Sequence, residues 1–261
     1  MSTQLLLYET AVPVSSGRHG KCSVEVRTYD FSRNVNAVPL VAAEFAEATT
    51  EYAIVFAGEA NDLMPVVILG AREKENLYLT AEGEWQAKYI PAFIRRYPFV
   101  FSRGADPQTF TLCVDEAFQG LNYQGRGKPL FTEEGKPSPF VQSVLGFLQG
   151  YAAQVSRTQA LCKKLVELKL LEPMQAQFTL TTGTKMSLKG FMAVDRKKLK
   201  ELSGDVLEDL VKTDELELLY LHLQSMRNFM TVKNRLVHAQ GLKEGDSMGE
   251  VSPNDGAEGR S

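Results

Sequence analysis

Histidine and cysteine are scarce in this chain of 261 residues, with three of each. His19, His222 and His238 lie far apart, and no His-x-x-x-His, His-x-Asp or Cys-x-x-Cys spacing occurs. Zinc and non-haem iron sites of the usual kinds draw on such spacings, so no metal and no cofactor is expected. Cys22, Cys113 and Cys162 are odd in number and widely separated. That pattern points to small buried thiols in a reducing compartment, not to a disulfide framework. A Gly-x-Ser-x-Gly nucleophile elbow and a Gly-x-Gly-x-x-Gly dinucleotide loop are also missing.

Long apolar runs are absent too. The longest, Leu63 to Ala71, is nine residues and contains Pro65 and Gly70, whereas a membrane span needs about twenty. The first residues, Met1 to Glu9, contain three leucines but no basic n-region, so no secretory signal is recognised and the cytoplasm is the expected compartment. Charge of one sign is lacking as well. The net charge is −3, and the stretch from Gly241 to Ser261 accounts for all of it, so residues 1–240 are neutral. A neutral body argues against nucleic acid as a partner, because that needs a concentrated basic footprint.

What is present is a dense block. Trp85, Tyr89, Phe93, Tyr97 and Phe99 share fifteen residues with Pro91, Pro98 and the adjacent Arg95 and Arg96. Aromatics and arginine dominate recognition hot spots, since they join large buried area to a directional polar group. Trp85, Tyr89, Arg95, Arg96 and Tyr97 are therefore the candidate ligand- or partner-binding residues. The competing reading makes Phe93, Tyr97, Phe99 and Phe101 core anchors and pairs the arginines with local acids. Pro91 to Arg96 suits a short helix ended by Pro98, and neighbouring helical positions diverge by about 100°, so Arg95 and Arg96 cannot both be buried on one side.

Short strands are expected over Gln4–Tyr8, Tyr52–Ala57, Val66–Leu69, Leu77–Thr80 and Thr109–Asp115, rich in β-branched and aromatic residues. Tyr52–Phe56 and Val66–Leu69 lack polar alternation, which predicts burial on both faces. A short helix is expected over Pro39–Ala48. Gly120 to Pro137 reads as a polar connection, in which Gly125-Arg126-Gly127-Lys128 fits a flexible basic turn better than a phosphate loop, because Pro129 follows the lysine and no helix opens.

The second half is expected to be mainly helical. Ser138 and Pro139 mark the start of a helix with Val141, Val144, Leu148, Ala152, Val155, Cys162 and Val166 in register. Phe178 to Leu188 around Thr182-Gly183-Thr184 reads as a β-hairpin. Asp195 caps a short basic helix, Arg196–Leu202, whose lysines form a solvated face. A last helix begins near Thr213 with two apolar stripes, and His222 within it reads as a helix-face or core residue. The stretch from Gly241 should be disordered. Asp115 and Glu116 close a strand, where a catalytic acid could sit, which makes Asp115 the one weak catalytic candidate.

Val38-Pro39-Leu40, Glu44-Phe45, Tyr52–Phe56, Leu69-Gly70, Asn76-Leu77 and the Tyr89–Phe99 block together resemble the SapC family of bacterial proteins. Leu130-Phe131, Leu171-Glu172-Pro173, Leu188-Lys189-Gly190-Phe191 with Asp195, and Leu221–Phe229 continue the resemblance. That family is named from a member associated with a bacterial surface layer, and is distinct from the peptide-transport permease that shares the name. The resemblance implies no catalytic residue.

The fold class expected is α+β: a strand-rich half, about 1–125, packed on a mainly helical half, about 138–240, in one domain. The leading functional expectation is a non-catalytic accessory or binding protein with a protein or peptide partner, linked to cell-envelope or surface-protein handling. The alternatives are an enzyme acting on a peptide or small acid, with Arg95 or Arg96 as clamp and Asp115 as acid or base, and a surface-layer structural protein.

Overall fold

The computed structural model describes residues 6–59, 62–103, 110–179, 185–239 and 249–253. Its centre is an antiparallel sheet built from both halves of the chain. From the first half come β3 (Ala37–Pro39), β4 (Ile54–Ala57) and β5 (Met64–Ile68), which follow β1 (Ala11–Pro13) and β2 (Ser23–Val24) in sequence. From the second half come β10 (Leu171–Thr179), β11 (Lys185–Val194) and β12 (Gly249–Pro253). The order is β12-β10-β11-β4-β5-β3.

Both faces of this sheet are covered, as the unbroken apolar runs require. Ile54, Phe56 and Val67 point one way and Ala53, Val55, Val66 and Ile68 the other, and all are buried. On one side lie α4 (Pro139–Glu167), α6 (Gly204–Lys212) and α7 (Glu215–Ser225), which bring Leu161, Leu165, Leu210 and Leu219 to Phe56 and Val194. On the other, α8 (Phe229–Ala239) brings Phe229, Val232, Leu236 and Val237 to Val55, Phe178 and Phe191. Two small sheets sit beside it: β1-β7-β6, with β6 (Phe99–Arg103) and β7 (Phe110–Asp115), and β8-β2-β9, with β8 (Leu121–Asn122) and β9 (Lys128–Pro129). The first part of α4 packs against them through Val141 and Leu148. Three short helices, α1 (Ser16–His19), α2 (Phe45–Ala48) and α3 (Ala92–Arg95), and α5 (Arg196–Lys200) complete the fold.

Several local expectations hold. The Ser138 hydroxyl accepts the Val141 amide with Pro139 at the first turn, and the Asp195 carboxylate accepts the amides of Lys197 and Lys198 at the start of α5. Others need correction. Residues 6–8 are not a strand: the Tyr8 hydroxyl donates to the Phe99 carbonyl, and the next two amides go to Asp115 instead of a ladder. Leu77–Thr80 carries only a Leu79–Trp85 bridge, since Asn76 Oδ1 takes the Tyr78 amide. In α4 the buried seam runs through Tyr151, Thr158 and Leu165, which leaves Val166 exposed. Ser203-Gly204 starts α6 instead of merely ending α5. The last helix is two helices joined by a 3-10 turn, Met226–Asn228, which accounts for its two apolar stripes. Residues 249–253, expected to be disordered, pair with the free edge of β10. The hairpin turn at Thr182-Gly183-Thr184, the start of the Gln4–Tyr8 segment, Thr109 and the rest of the tail lie outside the described residues.

The two halves meet where β4 faces β11, and the ladder there contains one pair, Met192 with Phe56. The next pair in that register is Ile54 with Val194. Between them sits the imidazole of His222. Its Nε2 accepts the Val194 amide at 3.0 Å, and its Nδ1 donates to the Ile54 carbonyl at 2.9 Å. The ring thus replaces one rung of the ladder, and α7 becomes part of the junction. Ser225 Oγ accepts the Ile54 amide, and Asn228 donates to the carbonyls of Thr49 and Tyr52. Burial holds the His222 pKa down to about 4, against about 6.5 in an unfolded chain.

Because the folded value is the lower one, the unfolded state binds more protons between pH 6.5 and 4, and stability present above about pH 6.5 is lost as pH falls. His222→Gln is expected to be the less stable protein at pH 8. Its deficit measured by urea unfolding should shrink by about 2 kcal/mol between pH 8 and pH 5, because the variant carries no imidazole to protonate.

Candidate functional site

The helix α3 settles the two arginines of the aromatic block in opposite ways. Arg96 is 5% exposed, and its guanidinium lies 4.2 Å from the Phe93 ring centroid, 5.3 Å from Tyr151 and 5.7 Å from Tyr8. It is a cation inside an aromatic cage. Arg95, one position earlier, is exposed. Its Nε donates to the Ile90 carbonyl, and its guanidinium covers the Tyr89 and Phe147 rings.

The other candidates form two separate hydrogen-bonded groups, each around a buried carboxylate: Trp85 and Tyr89 at Glu44, and Tyr97 at Asp115. Tyr89 donates to Glu44 Oε1 at 2.7 Å, and the same oxygen accepts the Ala92 amide. Trp85 donates from Nε1 to the Tyr52 hydroxyl at 2.8 Å, and Tyr52 donates to the Tyr89 carbonyl. Asp115 is fully buried. Its oxygens accept the amides of Glu9, Thr10 and Ala117, at 2.9 to 3.1 Å, and the Tyr97 hydroxyl at 3.2 Å. Four donors fill the carboxylate, and they tie the start of the chain to the end of β7. Burial, and for Tyr97 the nearby Asp115 charge, push the phenols of Tyr8, Tyr89 and Tyr97 well above the ordinary tyrosine range. Burial pushes Tyr151 up to about 12. These hydroxyls are neutral donors at physiological pH, not bases.

Tyr97 also faces outward into a cleft that sequence reasoning missed. The cavity measures about 440 Å³, and its floor is Phe31, Tyr97 and Phe118. Phe31 stacks on Tyr97 with centroids 4.2 Å apart, and Phe118 meets Tyr97 edge-on at 5.3 Å. The rim is charged: Glu25 pairs with Arg27 at 3.0 Å and lies 3.9 Å from Arg126, and Glu9 also lines the cleft.

Local sequence explains the wall. Asn122 accepts the amides of Gln124 and Arg126 and donates to the carbonyls of Ser23, Gly120 and Arg126. That fixes the Gly125–Lys128 turn, expected to be flexible, and places Arg126 at the rim. Gly127 adopts φ +84°, and a β-carbon on Gly120 would collide with the Glu25 carbonyl, so both glycines are required for the close approach to β2. Of the residues the sequence singles out, Tyr97 and the basic turn with Arg126 reach this cleft.

Among the described residues no group of three His, Cys, Asp or Glu could hold a metal ion, and no helix is long and apolar enough to cross a membrane. The basic helix α5 buries Leu199 and leaves its lysines in solvent. The SapC family model matches residues 14–232, most of the chain. The protein belongs to the SapC family. No curated protein and no solved structure matches it. Within this SapC protein the matched span contains the aromatic block, the His222 junction and the cleft except for Leu7 and Glu9.

The contrast between the arginines is measurable. Arg96→Ala should cost about 2–4 kcal/mol in urea unfolding, because it empties a buried cage. Arg95→Ala should cost less than about 1 kcal/mol. Equal losses would contradict the assignment of one arginine to the interior and the other to the surface.

Proposed function

We infer that this SapC-family protein is a non-catalytic binding protein whose cleft, floored by Phe31, Tyr97 and Phe118, holds a segment of a partner protein. The observation that carries this reading is the cleft itself: an aromatic floor for one apolar side chain, ringed by charges of both signs that can orient a peptide. Its volume falls in the range of small-ligand and side-chain pockets, roughly 300–1,000 Å³. Arg27 and Arg126 can meet a carboxylate, and Glu9 can meet a basic side chain. Arg95, Tyr89 and Trp85 reach the surface elsewhere on the same block and extend the contact area. The surface-layer association of the family's naming member supports a cell-envelope or surface protein as the partner, handled in the cytoplasm.

The enzyme alternative draws little support from the geometry. Asp115 has its oxygens filled by four donors, and Arg96 lies inside the aromatic cage, so the proposed acid or base and one of the two proposed clamps face the interior.

A displayed random-peptide selection against the purified protein tests this reading. Enriched peptides should carry an aromatic or large apolar residue beside a charged one. Their affinity should fall at least about tenfold for Phe118→Ala and for Arg27→Glu with Arg126→Glu, while the exposed rim variants keep the wild-type melting temperature. Peptides that bind these variants as well as wild type would refute the cleft as the docking site.

A further inference from the structure

A second cavity, about 560 Å³, lies on the far side of the 3-10 turn Asp30–Ser32, between the last turns of α8 and the loop before Leu77. Asp30 lines the aromatic cleft, and Arg33, its ion-pair partner at 2.6 Å, lines this one. The charged side chains around it are Arg33, Lys74, Glu75 and Arg235. This is an excess of positive groups in a protein whose body is neutral.

The excess is sharper once existing partners are assigned. Glu75 is engaged: Oε2 accepts the amides of Ala71 and Arg72, and Oε1 lies 3.8 Å from the Arg72 guanidinium. Arg33 is tied to Asp30 and to the carbonyls of Thr80 and Ala81. Among the described residues Arg235 pairs with no carboxylate: it donates to neutral oxygens of Leu77 and Gln86, and its buried Nε has no hydrogen-bond partner there. Its guanidinium is held flat against Tyr78, 4.1 Å from the ring centroid. Lys74, at φ 56° in the tight turn before Glu75, pairs with no carboxylate among the described residues. Two cations without counter-charges among the described residues therefore share one cavity. One is a planar donor fixed by stacking, and the other is a mobile point charge.

We propose that this cavity binds a small oxyanion, a phosphate or carboxylate group on a small molecule, between Arg235 and Lys74. Arginine supplies directional donors and lysine a compact charge, the combination suited to a group with several anionic oxygens. The cavity is large enough to accept more than the anionic group alone. Because α8 packs on the central sheet through Leu236 and Val237, the ligand would rest on a rigid wall.

The test is equilibrium dialysis of the full-length protein against radiolabelled inorganic phosphate and, separately, radiolabelled malonate, at matched ionic strength. Arg235 also ties α8 to the segment from Leu77 to Gln86, so the deciding variants are Lys74→Ala and Lys74→Glu at an exposed position, with Lys136→Ala as a remote control. One saturable equivalent per chain is expected, weakened at least about tenfold by Lys74→Glu and unchanged by Lys136→Ala. Preference for phosphate would assign a phosphorylated ligand, and preference for malonate a carboxylate. No saturable uptake of either, or uptake indifferent to Lys74→Glu, would overturn the proposal.

Discussion

The His222 imidazole spans the gap where β4 and β11 part, and the architecture on both sides depends on that junction. The two halves of the chain share one sheet, yet their ladder holds a single register pair, Met192 with Phe56. One step along, the strands no longer bond to each other, and the ring takes the Val194 amide and serves the Ile54 carbonyl. A neutral imidazole is well matched to this task, since it offers one donor and one acceptor on opposite sides. Its placement brings α7 into line and sets α8 against the opposite face through the short turn at Met226–Asn228. The cost is that the ring must stay neutral, and burial supports that by disfavouring the charged form.

The aromatic–arginine block shows how one short segment serves both interior and surface. Arg96 and Phe93 face inward with Tyr151 of α4 and Tyr8 near the start of the chain, while Arg95 lies outward across Tyr89 and Phe147. Tyr97 belongs to both worlds. Its hydroxyl closes the ring of donors around Asp115, and its face forms part of the cleft floor. A residue so placed couples the packing of the first half to the shape of the cleft. The Asp30–Arg33 ion pair extends that coupling, because each partner lines a different cavity.

Much of the fold was legible because local signals agreed with the global structure. The unbroken apolar runs of β4 and β5 announced burial on both faces, and Ser138-Pro139 and Asp195 announced helix starts by their capping chemistry. The α+β division followed from the change of periodicity near residue 138. What escaped was set by side chains acting at long range. Asn76 and Asp115 draw backbone amides out of ladders, so two stretches with strand-like composition are not strands. Nothing local reveals that His222 would lie 168 residues from its carbonyl partner Ile54. The cleft was missed for the same reason, because Phe31, Tyr97 and Phe118 come from separate segments. Of the five candidates in the aromatic block only Tyr97 lines the cleft, and a one-dimensional pattern contains no rule for which arginine turns inward.

The most direct measurement of the junction is a long-range proton–nitrogen correlation spectrum of the His222 ring, recorded from pH 8 to pH 5. The structure predicts a neutral ring with the proton on Nδ1 and a bare Nε2, predominantly neutral down to pH 5. A proton on Nε2, or a ring that titrates near pH 6.5, would mean that the imidazole does not bridge Ile54 and Val194 and that the two halves are joined in some other way.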